Sequence, residues 1–360
     1  MDYLNSALEV LKILNNNNYD AYIVGGYVRD YILNIDSNDI DMTSSATPEE
    51  VSKLFKTIPS GIKYGTVLIC YNDYKFEHTT FRSDGLYKDS RHPNDVIFSR
   101  NVLDDLKRRD FTINSLLMNS NKEILDYLDG KKDINNKLIR TIGNPDNRFI
   151  EDALRMLRVF SFVSKLGFNV DEDTYLSIKK NKELLKNVSI ERIRIEFDKI
   201  SNGKYRKKAW HLFYELKLNE LFPNMPLITD FDFSFRDILL KSLLENVEIS
   251  DFWQLSKLSI RNMMKASNIV KEGVTDYNLF INGYIPSMYA LEYLKMDKTK
   301  WDNLKIKSLK DLEINGDDLE NIIGKTKRGE CLNYLSKLVL EGKIENNYSI
   351  LLDEAKKWNI

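Results

Sequence analysis

Residues 21–41 constrain this chain most. Ala21-Tyr22-Ile23-Val24 is a short apolar run that ends on Gly25-Gly26. Such a run, closed by a glycine pair, reads as a buried strand entering a tight turn. A helix is predicted from Val28 to Leu33, with Arg29 in its first turn. Asp39 and Asp41 follow, separated by Ile40. Residues i and i+2 of a strand point to one face, so both carboxylates can reach one shared site while Ile40 faces the other way. Two hard anionic ligands side by side suit Mg²⁺, which takes oxygen ligands and completes its shell with substrate phosphates. The glycine pair removes Cβ bulk where phosphates must approach the backbone. Arg29 offers a planar fork of donors to a phosphate. This order of elements points to metal-assisted nucleotidyl transfer.

The whole chain narrows the setting. At 360 residues it exceeds one comfortable core, so two or more domains are expected. No run of about 18 apolar residues occurs, which excludes a membrane-spanning helix. Met1-Asp2-Tyr3-Leu4-Asn5 has neither a basic stretch nor a small-residue cleavage site, so no signal peptide is expected. Cys70 and Cys331 are the only cysteines, and neither belongs to a Cys-x-x-Cys pair. That usage suggests a reducing cytoplasm and argues against a zinc site. His78, His92 and His211 lie far apart, and none precedes an aspartate, which argues against an appended His-Asp phosphohydrolase. The net charge of −1 does not announce a nucleic-acid binder, so any RNA surface must come from local clusters of Lys and Arg.

The remaining elements follow from periodicity. Leu4, Ala7, Leu8, Leu11 and Leu14 recur at helical spacing and predict an opening helix over 3–14. Thr47-Pro48-Glu49-Glu50 carries Thr at N-cap, Pro at N1 and Glu at N3, a strong helix start. Residues 64–71 and 74–82 read as strands joined at Asn72-Asp73, a β-hairpin. In the second strand Glu77 sits between apolar or aromatic neighbours and can face the side of the aspartate pair. Residues 83–100 are polar and irregular, and a loop of that length inside a compact domain is usually functional. A helix is predicted over 102–109 and a turn at 125–130. Beyond about residue 147 nearly every segment has helical period. Residues 151–160 read as one helix continuing to Gly167 at its C′ position, and Ser189 reads as the N-cap of the next.

Taken together, strand, Gly-Gly turn, arginine-bearing helix, Asp-x-Asp and a later strand acid resemble the polymerase-β-like nucleotidyltransferases. The class in question holds the bacterial tRNA CCA-adding enzymes and poly(A) polymerases. The likeness continues through Arg108-Arg109-Asp110-Phe111-Thr112-Ile113-Asn114, Glu151-Asp152-Ala153-Leu154-Arg155 and Ser189-Ile190-Glu191-Arg192-Ile193-Arg194. It implies an α+β fold, with a nucleotidyltransferase head of small mixed sheet and helices followed by an all-α C-terminal half. The implied domains are a catalytic head over 1–140, a helical nucleotide-recognition neck over 141–200 and a helical tRNA-binding body and tail over 201–360.

By that resemblance Asp39 and Asp41 hold paired Mg²⁺ ions. Glu77 is the third carboxylate, binding metal near the primer hydroxyl or accepting its proton. Gly26 and Arg29 match triphosphate contacts, Arg109 matches a nucleotide-binding arginine, and Asp110 reads as structural. Asp152 and Arg155, at i and i+3, would share one helical face. Cytosine and adenine both present an exocyclic amine donor beside a ring-nitrogen acceptor, which suits a carboxylate and a guanidinium respectively. Guanine and uracil reverse both signs and would leave buried polar groups unpaired, at roughly 1–3 kcal/mol each. Arg158, one turn further, would reach a phosphate. The family pattern has another arginine three residues on, where this chain has Ser161.

Residues 81–87 through Arg91-His92-Pro93 resemble the flexible loop of enzymes that add the final adenosine. Lys179, Lys180, Lys182, Lys186, Arg192 and Arg194 could form a basic face for the tRNA backbone. Phe231, Phe233 and Phe235 read as packing residues. Residues 314–319 and 342–346 resemble the tail of shorter Firmicute-type enzymes. The activity implied is addition of C, C and A to the tRNA 3′ end from CTP and ATP, without a nucleic-acid template and with release of pyrophosphate. The alternatives are a poly(A) polymerase, an enzyme adding only A or only CC, and a non-catalytic RNA-binding protein on the same scaffold.

Overall fold

The computed structural model describes residues 2–84, 96–223, 225, 231–249 and 251–358. The chain divides into two compact units, Met1–Leu221 and Phe222–Ile360.

In the first unit, α1 (Tyr3–Asn16) is capped by the Asp2 carboxylate and buries Ala7, Leu8, Leu11 and Leu14, as the spacing predicts. β1 (Ala21–Val24) runs into the glycine turn. Gly25 makes that turn alone, at φ +82° and ψ −129°, so α2 (Gly26–Ile32) begins two residues earlier than predicted. β2 (Asp41–Ser44) follows, then α3 (Pro48–Leu54), which opens with the full capping box between Thr47 and Glu50. β3 (Lys56–Gly61), β4 (Thr66–Tyr71) and β5 (Tyr74–Thr80) come next. The β4–β5 hairpin turns at Asn72 and Asp73, both at positive φ, as primed two-residue turns require. β6 (Arg82–Asp84) and β7 (Val96–Phe98) pair antiparallel, so the ends of the predicted 83–100 loop are strands. The centre of that segment, residues 85–95, lies outside the described residues. α4 (Val102–Lys107), β8 (Leu117–Met118) and β9 (Ile124–Leu125) complete the head.

Among the described residues seven strands form one sheet, ordered β3-β4-β5-β2-β1-β8-β9. β2 lies near its middle, parallel to β5 and antiparallel to β1. β3 escaped the sequence reading because it is an exposed edge with no alternation; an edge also tolerates Pro59.

After α5 (Gly130–Asn135) and β10 (Leu138–Ile139), the predicted helix over 151–160 proves to be two. α6 (Pro145–Glu151) stops at Asp152, whose φ of −146° and ψ of 100° are extended, and α7 (Leu154–Leu166) starts anew. Gly167 ends α7 at φ +73°, as expected. β11 (Asn169–Val170) pairs parallel with β10, so one short strand interrupts the stretch beyond residue 147 in which nearly every segment has helical period. α8 (Glu172–Asn181), α9 (Ile190–Asn202) and α10 (Arg206–Glu215) follow. Ser189 stands at the N-cap of α9, but its side chain makes no capping bond. α7, α9 and α10 share an edge-to-face cluster of buried Phe160, Phe197, Trp210 and Phe213, with centroids 5.3–5.5 Å apart. Truncating one such ring to alanine typically costs about 3–5 kcal/mol, so α7 is firmly seated.

The second unit is helical: α11 (Phe235–Leu244), α12 (Lys257–Glu272), α13 (Asp276–Asn282), α14 (Tyr284–Tyr293), α15 (Thr299–Asp302), α16 (Arg328–Leu340) and α17 (Tyr348–Trp358). Its core includes Leu240, Ala266, Leu291, Leu335 and Leu351. Phe235 meets Trp253 edge-on at 4.9 Å and Phe233 stacks on Tyr293 at 5.8 Å, the packing roles the sequence suggested. Among the described residues no helix is long and apolar enough to cross a membrane.

Candidate active site

Asp41 is the first residue of β2 and pairs in register with Val24 on β1 and Glu77 on β5. Directly opposed residues on neighbouring strands project to the same face, so Glu77 stands beside Asp41. Asp39 lies two residues before the ladder begins, so only Asp41 of the pair belongs to the strand. Both line a cavity of about 820 Å³, whereas Glu77 is outside its lining. The Asp41 carboxyl is pushed up from 3.8 to about 6 by burial, then by the charges of Asp39 and Glu77, with Arg109 pulling the other way. The acids therefore concentrate negative charge that nearby cations leave incompletely neutralised. Among the described residues no three or more His, Cys, Asp or Glu are grouped to hold a metal by themselves. The donor set suits a hard cation that shares its shell between carboxylates and a substrate's phosphates.

The glycine turn and the arginines form the next wall. A Cβ on Gly25 would come 3.4 Å from Arg109 Nη1, on a backbone that L-residues rarely adopt. Arg109 donates through Nε and Nη2 to Asp105 Oδ2, at 3.2 and 3.0 Å. The other Asp105 oxygen accepts from Arg108. Burial pushes the Asp105 carboxyl up, but the two arginines hold it below its usual range. Gly26 and Arg29 also line the cavity. Arg29 is buried, with Nε and Nη2 on Asp30 Oδ1 and Nη1 on Asn114 Oδ1 at 2.6 Å. Its fork is thus largely engaged within the protein, leaving only its remaining N–H groups for a ligand.

Asp152 and Arg155 both line the cavity, but not as successive positions of one helical face. Asp152 occupies the α6–α7 break, where Oδ1 accepts from the Leu154 amide and Oδ2 from Arg192 Nη2 at 2.8 Å. By bonding the first amide of α7 and an arginine from α9, this carboxylate fixes the extended backbone between α6 and α7. Arg155 bonds Glu151 and the carbonyls of Arg148 and Arg108, tying α7 to the head. Arg158 is paired to Asp110 Oδ2, at 2.7 Å from Nε. Burial pushes the Asp110 carboxyl up, but Arg158, Asn114 and the Phe111 amide hold it below its usual range, consistent with a structural Asp110. Ser161, at the position where the family pattern has an arginine, donates to Glu196 Oε2 at 2.5 Å, and Lys199 holds the other oxygen at 2.8 Å.

Several lining residues were not anticipated. Phe162 lies beneath two cations, Arg29 at 5.1 Å and Arg158 at 5.5 Å from its ring centroid. Lys165 reaches Asp30 Oδ2 at 2.8 Å. Arg192, read as one of six residues that could form a basic face for the tRNA backbone, lines this cavity. Of the other residues on that face, Lys180 pairs with Asp146, Lys186 with Glu183, and Lys182 donates to the Leu216 carbonyl. Helical period identifies which positions are buried, but it does not separate Phe162 from its core neighbours.

The fold and the acid-bearing strand define a nucleotidyltransferase head of the poly(A) polymerase type. Residues 21–140 match the family model of the Poly A polymerase head domain, and residues 167–228 match the probable RNA and SrmB-binding site of polymerase A. The CCA-adding enzyme of Ligilactobacillus salivarius is 38% identical over 99% of this chain and 97% of its own. That of Bacillus subtilis is 35% identical over 94% of each. The crystal structure of the Bacillus stearothermophilus CCA-adding enzyme in complex with CTP superposes with a TM-score of 0.85 at 29% identity, covering 100% of this chain and 98% of that one. The chain belongs to the family of CCA-adding enzymes.

Proposed function

We propose that this protein adds C, C and A in turn to the 3′ end of tRNA, drawing on CTP and ATP and releasing pyrophosphate at each step. The observation that carries the reading is Asp41 opposed in register to Glu77, with Asp39 two residues upstream, at a cavity whose other wall bears arginines. Asp39 and Asp41 would hold Mg²⁺, with Glu77 beside them. Bound there, the ion would lower the pKa of the attacking 3′-hydroxyl and neutralise charge on the triphosphate and departing pyrophosphate.

The protein's own part is positioning and charge complementarity. Arg109, fixed by buried Asp105, presents Nη1 beside Gly25, where the missing Cβ leaves room for a nucleotide. Gly26, Arg29 and Arg158 contribute to the phosphate-facing wall. Asp152 and Arg155 read the base edge, the carboxylate accepting from the exocyclic amine and the guanidinium donating to the ring nitrogen. Asp152 is held by Arg192 and Arg155 by the Arg108 carbonyl of the head and the Arg148 carbonyl of α6, so the reading groups keep their orientation before a nucleotide arrives. In functional terms, 1–140 act as catalytic head, 141–200 as recognition neck and 201–360 as tRNA-binding body and tail. The setting is the cytoplasm, where tRNA and reduced cysteines are both found.

The test is stepwise extension of tRNA lacking one, two or three 3′ nucleotides, with labelled CTP and ATP. We expect C, C and A in order and no poly(A) tail. Addition of only A or only CC, or of continued adenosines, would replace this reading with a narrower or different transferase.

A further inference from the structure

The backbone between the two acids lacks the ladder that holds Asp41. β2 begins at Asp41, and its register with β1 and β5 starts there, so Asp39 and Ile40 precede the sheet. A contact from α1 reaches this point. The Ile40 amide donates to Tyr3 Oη at 3.1 Å. The Tyr3 ring is itself fixed: it stacks on buried Phe76 with centroids 5.2 Å apart and planes 19° apart, and meets Tyr74 edge-on at 5.1 Å. Phe76 immediately precedes Glu77 on β5. One side chain thus links the segment between Asp39 and Asp41 to the strand that carries the third acid. Ile40 buries its side chain, so this peptide is held both by its apolar group and by its amide. Burial resists ionisation of the phenol; the Ile40 amide opposes this, and the smaller influences of Asp39 and Asp41 reinforce it.

We propose that Tyr3 is a positioning residue for the metal-binding acid pair, its hydroxyl fixing the Ile40 peptide and so the placement of Asp39 relative to Asp41. The inference rests on the reading of Asp39 and Asp41 as metal ligands. For packing alone a phenylalanine would serve, since both aromatic contacts belong to the ring. The hydroxyl is needed only to hold an amide that the sheet does not. Groups that orient metal ligands typically contribute about 10- to 100-fold in metal affinity.

The test measures Mn²⁺ binding to the full-length protein without tRNA, from the free-ion electron paramagnetic resonance signal, with CTP present. Four proteins are compared: wild type, Tyr3→Phe, Tyr71→Phe and Asp41→Asn. Tyr71 is the control, because its hydroxyl ties α1 to the same hairpin through Glu9, 3.2 Å away and separate from Ile40. We expect Tyr3→Phe to weaken Mn²⁺ binding about tenfold and to raise the Mg²⁺ needed for half-maximal incorporation similarly. Excess Mg²⁺ should restore its kcat, with little change in the KM for CTP. Tyr71→Phe should bind Mn²⁺ as the wild type does, and Asp41→Asn should lose binding. Wild-type affinity in Tyr3→Phe overturns the proposal. So does equal weakening in Tyr71→Phe, which would mean that any loosening of α1 has the same effect. Wild-type binding in Asp41→Asn would instead remove the acid-pair reading, and the role of Tyr3 with it.

Discussion

At the scale of single residues, Asp41 shows function opposing stability. Its carboxyl sits at about 6, above its ordinary 3.8, because burial and the neighbouring acids disfavour its charge. Folded Asp41 therefore holds its proton more tightly than unfolded Asp41. Its contribution to stability is full below pH 3.8 and is lost as pH rises through about 6. A shift of that size corresponds to about 3 kcal/mol at most. We expect metal-free Asp41→Asn to melt above the wild type at pH 8, with the gap closing as pH falls towards 5. Mg²⁺ with CTP should then reverse the order at pH 8, because only the wild type gains the bound ion. Differential scanning calorimetry at both pH values, with and without Mg²⁺ and CTP, checks each part. A metal-free Asp41→Asn less stable than the wild type at pH 8 would mean that the charge of Asp41 is already compensated within the protein.

At the scale of elements, the turn from β1 into α2 depends on Gly25 alone, which combines φ of +82° with close approach of Arg109. Gly25→Ala would force a strained backbone, a cost of about 1–3 kcal/mol. It would also set a methyl 3.4 Å from Arg109 Nη1, filling the space left beside that guanidinium. We expect a lower melting temperature together with a raised KM for CTP in steady-state assays. A loss of stability with the KM unchanged would separate the turn from nucleotide binding. This turn was legible because its signal is local: an apolar run, two glycines and an arginine. The capping box at Thr47, the hairpin at Asn72-Asp73 and the apolar stripe of α1 were legible for the same reason. The break at Asp152 was not. No glycine or proline marks it, and what stabilises it is Arg192 reaching back from α9. β3 lacks alternation, β10 and β11 are two residues each, and Phe162 becomes part of the cavity only when Arg29 and Arg158 converge on it. Residue chemistry was therefore readable in advance, whereas partnerships between elements required the fold.

For the whole molecule, every residue lining the cavity falls between Gly25 and Gly203, inside the first compact unit. That unit also contains the seven-stranded sheet and the aromatic cluster that seats α7. The second unit has its own core, built from helices α11 to α17 and the segment between α15 and α16. Two separately cored units need not share one folding transition. In the proposed reading the second unit holds tRNA away from the cavity, so cutting the chain between the units should weaken RNA binding more than nucleotide binding. We expect a fragment of residues 1–221 to fold, to melt cooperatively, and to bind CTP with Mg²⁺ within about threefold of the full chain, since none of the lining is removed. The same fragment should need much more tRNA for half-maximal extension, because in the proposed reading the helical body supplies phosphate contacts that position the RNA without touching the chemistry. Calorimetric titration with CTP and extension assays across tRNA concentrations measure the two effects. Losing CTP affinity in the fragment would mean that the helical unit supports the cavity itself, whereas unchanged tRNA dependence would deny the body its role as an RNA platform.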